Sequence, residues 1–100
     1  VLQWHVKENA AHGLAEIEEV LIQENYKGKG IGSSLVLFAI GAIRSYFIEK
    51  NIKPRKIFLF VGKGNTAARK LYEKKGFRLI SSIGYLFHDN VEELFYSLDL

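Results

Sequence analysis

Cysteine is absent from the 100 residues. Disulfides, a thiol nucleophile and cysteine-held metal are therefore excluded for this chain. Repeats, low-complexity tracts and linker-like stretches are also absent, which leaves a single domain. Net charge is small: 14 Lys and Arg stand against 11 Asp and Glu, a formal +3. That mildly basic balance suits an anionic ligand as well as it suits nucleic acid. No continuous apolar run approaches the ~20 residues that a membrane span needs. The longest, residues 35–43, is flanked by helix signals, so no membrane partner is expected. No signal-peptide pattern is visible and nothing points outside the cell, so the expected location is cytoplasmic. The chain opens at Val1 without methionine. It is expected to be either processed or the C-terminal part of something longer.

What is present reads as a globular chain. The hydrophobic share is 48%, enough to exclude a disordered chain. A domain this short buries a modest core, so a homodimer interface or a missing segment could matter. Residues 1–7 read as a strand, 8–13 as a polar turn and 15–22 as a second strand, together a hairpin. A glycine turn follows. From residue 30 to 50, Ile31, Leu35, Phe38, Ala39, Ala42, Ile43, Tyr46 and Phe47 recur at steps of three and four, one face of a long helix. Asn51 and Pro54 end it. The run "KIFLFV", residues 56–61, has the continuous apolar character of a strand buried on both faces. Asn65 or Thr66 can cap a second helix whose Ala68, Leu71 and Tyr72 share a face, and Gly76 stops it. Residues 78–87 and 93–100 are two further strands, expected to be antiparallel. The order β-β-α-β-α-β-β predicts a mixed α/β layer architecture.

The chemistry concentrates in "ENYKGKGIGSSL", residues 24–35. A strand that enters a glycine turn and then a helix start presents backbone N–H groups without partners, at the positive end of the helix dipole. Glycines let a phosphate approach the backbone closely. Lys27 and Lys29 add charge. A tight connection alone would need one glycine, whereas Gly28, Gly30 and Gly32 supply three. The P-loop spacing is not met, and the dinucleotide fingerprint fails at Ser33 and Leu35. What fits is Arg/Gln-x-x-Gly-x-Gly/Ala, met from Lys27 to Gly32 with lysine in first place.

With that turn, the segment "IEEVLIQENYKGKGIGSSL" resembles the GNAT superfamily of acetyl-CoA-dependent N-acetyltransferases. A second stretch, "NTAARKLYEKKGF" (residues 65–77), resembles the family's Asn-x-x-Ala-x-x-Leu-Tyr-x-x-x-Gly-Phe signature. The resemblance covers nearly the whole chain but begins at the family's third strand. It implies a mostly antiparallel sheet with two helices, shortened by the usual first strand, first two helices and second strand. It also implies acetyl transfer from acetyl-CoA to a primary amine by direct attack in a ternary complex. The acceptor would be a protein N-terminus, a lysine or a small-molecule amine.

The same resemblance implies roles. The backbone of Val20, Leu21 and Ile22 would pair with the pantetheine arm. Lys27, Gly28, Lys29, Gly30, Ile31, Gly32 and Ser33 would hold the pyrophosphate. Lys27 keeps charge but lacks the planar fork of arginine. Asn65 would touch the pantetheine arm, and its plain alternative is a helix cap. Tyr72 would face the thioester sulfur and donate a proton to the leaving thiolate, a phenol having a reference pKa of ~10. Its plain alternative is a core aromatic. For the base, Glu18 is the first choice and Glu16 the second, against a solvated strand face. Strand alternation places both on one face with Val20 and Ile22, and Glu19 on the other. His5, His12 and His88 have no metal spacing and read as surface or structural, so no metal is expected. The basic set Lys63, Arg69, Lys70, Lys74 and Lys75 would meet the 3′-phosphate or form a solvated helix face. Two rival readings remain. One is a non-catalytic module of the same fold that binds CoA or dimerises. The other is a basic nucleic-acid-binding domain, disfavoured because the lysines are scattered without an aromatic stacking platform.

Overall fold

The computed structural model describes residues 2–6, 12–20, 30–85 and 89–100. The elements are β1 (Leu2–Val6), β2 (Leu14–Val20), α1 (Ile31–Glu49), β3 (Lys56–Gly62), α2 (Thr66–Lys74), β4 (Arg78–Gly84) and β5 (Glu92–Asp99). Their order is the expected one, with most described ends displaced by a residue or two, as helix and strand termini commonly are, and with β4 ending at Gly84, three residues short of the expected 87. One five-stranded sheet runs β1-β2-β3-β5-β4. The pairs β1–β2, β3–β5 and β4–β5 are antiparallel, and β2–β3 is parallel.

The topology places both helices. β2 reaches β3 through α1, and β3 reaches β4 through α2, passing over β5. Both crossovers step the same way along the sheet. Right-handed connections then put both helices on one face. The core agrees: Ala15, Ile17, Ile57, Leu59, Leu94 and Tyr96 meet Val36, Ala39, Ile43 and Phe47 of α1 and Tyr72 of α2.

Three expectations need correction. On β3, Ile57, Leu59 and Val61 are buried, but Phe58 and Phe60 are only half-buried. No helix covers their face among the described residues. Instead Phe58, Phe60 and Phe95 cover one another, with ring centroids 5.2–6.4 Å apart. On α1, Phe38 is 77% exposed, and Val36 and Ile40 fill the core in its place. The helix is apolar on both sides, with Leu37 and Ile48 also exposed, so three-and-four spacing could not fix its rotation. Finally, the uninterrupted apolar run is short, but α1 as a whole is long and apolar enough to cross a membrane by length and composition. Its packed side accounts for part of that composition, since Val36, Ala39, Ile43 and Phe47 have at most 1% exposure.

Two surface contacts tie strand ends. Lys56 Nζ pairs with Asp99 Oδ1 across β3 and β5. Glu92 Oε2 accepts from Ser82 Oγ at 2.8 Å and from Lys63 Nζ at 3.4 Å. Lys56 holds the Asp99 carboxyl below its usual range, and Ser82 followed by Lys63 does the same for Glu92. Each lowered carboxylate contributes stability above its unfolded value and loses it as pH falls through the folded value. The unfolding midpoint should therefore drop less between about pH 5 and about pH 3 in an Asp99→Asn, Glu92→Gln double variant than in the parent. Parallel thermal melts check this, and equal drops would refute it.

Candidate cofactor and catalytic site

The parallel pair β2–β3 is short. Its ladder holds Leu14↔Lys56, Ala15↔Ile57 and Glu16↔Phe58 and then stops. Both strands continue, β2 to Val20 and β3 to Gly62. They therefore part at their carboxyl ends, where open α/β sheets place ligands. The closed end of the split is pinned at Gly13. Its carbonyl accepts from Arg55 N at 2.9 Å and Lys56 N at 3.3 Å. Across Gln3 and Trp4 the β1–β2 register also shifts, with Gln3 facing Glu19 and Trp4 facing Ile17, so β2 bulges at Glu18. The bulge interrupts the simple alternation expected for Glu16 and Glu18. Bulges re-aim a side chain without ending a strand.

α1 returns the chain to the start of β3, so its N-terminus lies toward the open end of the split. Gly30 caps it with φ 75° and ψ 6°, the left-handed region that glycine enters without strain. No side chain caps this end, and the first turn contains no acidic residue. The first helical bond described there is Ser34 N to Gly30 O at 3.0 Å. The N–H groups of Ile31, Gly32 and Ser33 are those that a helix start leaves for an outside acceptor. A Cβ built on Gly30 would meet nothing within 4 Å. A depression of about 340 Å³ lined by Gly30, Ile31, Ser34, Leu35 and Phe38 opens beside it. Leu21, Ile22, Lys27, Gly28 and Lys29 lie outside the described residues, as does the side chain of Val20.

On α2, Asn65 is exposed, and its Oδ1 accepts from Ala68 N at 3.2 Å, so it is a helix cap. Tyr72 is 6% exposed and packs edge-on to Phe77, centroids 5.6 Å apart. Burial raises its pKa above 10. No buried side-chain oxygen lacks a partner among the described residues, and no hydrogen bond is described for the Tyr72 hydroxyl. The ring is thus in the core while its hydroxyl reaches the surface. Tyr72 belongs to the helix face of the sheet. Glu16, between buried Ala15 and Ile17, points to the other face, opposite Phe58. The expected acid and the second-choice base stand on opposite sides of the sheet, and the split between β2 and β3 is the opening between the two sides.

Part of the basic set is already engaged. Arg69 donates Nη1 to the Lys63 carbonyl at 3.2 Å and Nε to the Tyr96 hydroxyl at 3.4 Å, and Lys63 faces Glu92. Lys70 and Lys74 are exposed and Lys75 is half-buried. Tyr96 and Glu73 were not legible as site residues. A tyrosine in the alternating strand "EELFYSLD" carries no signal that its hydroxyl meets α2.

Comparison with known proteins is consistent with this geometry. The sequence signature of the acetyltransferase (GNAT) family matches residues 2–77. Mycothiol acetyltransferase of Corynebacterium glutamicum is 32% identical over 82 residues, which are 82% of this chain and 26% of that protein. A chain of the NatC complex bound to Gag peptide and CoA superposes with a TM-score of 0.80 at 23% identity, over 100% of this chain and 58% of that one. The yncA protein of Salmonella typhimurium, solved with its cofactor acetyl-CoA, superposes with a TM-score of 0.75 at 20% identity, over 89% of this chain and 49% of that one. The chain thus spans about a quarter of the length of the curated relative and about half of these solved ones. With its signature matched over residues 2–77, this chain belongs to the acetyltransferase (GNAT) family.

Proposed function

We propose that this chain binds acetyl-CoA and transfers the acetyl group to a primary amine. The observation that carries the reading is the split between β2 and β3, with the uncapped N-terminus of α1 at the same end of the sheet. An extended arm bearing amides would pair with the backbone of residues 20–22, as an added strand would. A pyrophosphate fits the first-turn N–H groups of α1, with Lys27 and Lys29 supplying charge. Asn65 would meet the pantetheine arm with the part of its amide that the cap does not use.

The reaction makes a nitrogen–carbon bond and breaks the carbon–sulfur bond of the thioester. The amine gives one proton to Glu18 or Glu16, directly or through water. Backbone N–H groups of β2 stabilise the oxyanion. The thiolate leaves and takes up one proton. Tyr72 faces it with a phenol that burial holds above 10, whereas a thiol is ordinarily near 8.5. The phenol therefore keeps its proton at equilibrium. Its contribution is a hydrogen bond to the departing sulfur, and the released thiolate takes its proton from water. One such bond to a developing anion corresponds to roughly 1.5–3 kcal/mol, or about ten- to a hundredfold in rate.

A second reading rests on the Phe58, Phe60 and Phe95 face, which no helix covers among the described residues. A non-catalytic module would bind CoA here and present that face to a second copy or another segment. One experiment separates the readings: incubation with acetyl-CoA and a panel of amines, with products followed by mass. Transfer that falls about ten- to a hundredfold in Tyr72→Phe, with acetyl-CoA affinity held within about twofold, is the expected result. Binding without transfer to any amine favours the module. Absence of binding removes both readings.

A further inference from the structure

Tyr96 lies mid-strand in β5, opposite Leu59 of β3 and Leu79 of β4, with no exposed surface. Phenylalanine would fill such a place without a polar atom to satisfy. The Tyr96 hydroxyl is satisfied from α2. It donates to Glu73 Oε2 at 2.5 Å and accepts from Arg69 Nε at 3.4 Å. Arg69 also holds the Lys63 carbonyl in the β3–α2 connection. One buried hydroxyl therefore ties β5 to two positions of α2 and, through Arg69, to the turn that precedes the helix.

The helix needs this tie. α2 has nine residues and buries only Tyr72, with Ala68 and Leu71 partly buried against the core. A helix that short is marginal by its own hydrogen bonds, and one buried side chain with two partly buried neighbours fixes its rotation only loosely. Arg69 and Glu73 are four residues apart, so they share a face and flank the turn that carries Tyr72.

We infer that Tyr96 is a positioning residue, its hydroxyl clamped between Glu73 and Arg69 so as to fix the rotation of α2 and the direction of the Tyr72 hydroxyl. The inference rests on the proposed role of Tyr72 at the thioester sulfur. It assigns catalytic weight to a core residue far along the chain from both signature motifs.

The test is Tyr96→Phe in the full chain, which keeps the ring and removes the clamp. Without cofactor, the Tyr72 ring resonances in tyrosine-labelled protein should shift. Amide exchange along α2 should rise by about tenfold, while that of β3 stays level. In turnover, kcat should fall about tenfold at unchanged KM for acetyl-CoA, with no further loss when Tyr96→Phe is added to Tyr72→Phe. Unmoved Tyr72 signals and unchanged α2 exchange would overturn the inference. So would an equal loss of kcat in the Tyr72→Phe background, which would mark Tyr96 as a general stabiliser. If Tyr72→Phe alone leaves kcat intact while Tyr96→Phe still loosens α2, the clamp stands and the proposed role of Tyr72 falls. Should Tyr96→Phe fail to fold, Glu73→Gln at its exposed position should give the same pattern in smaller measure. Unchanged Tyr72 signals there would overturn the inference equally.

Discussion

Replacing Gly30 by aspartate should weaken acetyl-CoA binding by at least about a hundredfold in a calorimetric titration, with little change in unfolding midpoint. The two halves of that result have separate causes. A carboxylate at the cap would occupy the first-turn N–H groups of α1 and set a negative charge where the pyrophosphate must sit. The same carboxylate suits the helix. Position 30 is the N-cap, aspartate is among the preferred caps, and it tolerates the left-handed conformation better than most residues. Its Cβ would meet nothing within 4 Å. Fold and affinity should therefore separate. Gly30→Ala, which adds strain without charge, should weaken binding far less. Undiminished binding by the aspartate variant would place the phosphates elsewhere and remove the central support for the proposed function.

Gly13→Val should destabilise the chain by roughly 3 kcal/mol or more, read as a fall in urea midpoint. Here the glycine is required by conformation and by space. Its φ is 68°, and a Cβ would stand 2.1 Å from the Lys53 carbonyl oxygen. That oxygen is backbone, so relief means moving the segment before β3. Movement there disturbs the bonds from Arg55 N and Lys56 N to the Gly13 carbonyl. The left-handed conformation alone costs about 1–2 kcal/mol for a residue with a Cβ, and the clash adds to it. The parallel ladder is three pairs long and begins one residue later. Cofactor affinity should consequently fall with stability in this variant. An unchanged midpoint would mean that the Gly13–Lys53 approach is not as close as described. The two glycines thus give opposite signatures: one is needed for the ligand, the other for the frame.

Much of this was legible in the chain. The element order followed from periodicity and breakers. The proposed anion site at the start of α1 rests on three alternating glycines ahead of a helix pattern, of which Gly28 lies outside the described residues. Those signals are local, arising from residues near one another in sequence. The parts that were not legible depend on contacts between distant segments. The rotation of α1 was misread at Phe38 because apolar residues occupy both sides of the helix. Phe58 and Phe60 read as buried because the run "KIFLFV" cannot tell whether its second face has a cover. The bulge at Glu18 depends on how β1 pairs, and the Tyr96 clamp on which turn of α2 lies above β5. Asn65 is a case where two readings share one residue: its cap is visible in the structure, and its proposed cofactor contact needs only the remaining donor.

The sheet order bears on how quickly such a chain can reach its native state. The middle strand, β3, takes Leu14 as a neighbour of Lys56 on one side and Asp99 on the other. Its two partners are the second element and the last. Neither pairing can form by a hairpin: β2–β3 must close a segment of roughly forty residues, and β3–β5 one of roughly thirty from Gly62 to Glu93, before any ladder bond rewards it. The terminal hairpins β1–β2 and β4–β5 can form early, but they remain two separate ribbons until β3 joins them. On a ribosome, β3 would emerge well before β5 and wait with one edge uncovered, the N–H and C=O groups of that edge open to whatever chaperone is near.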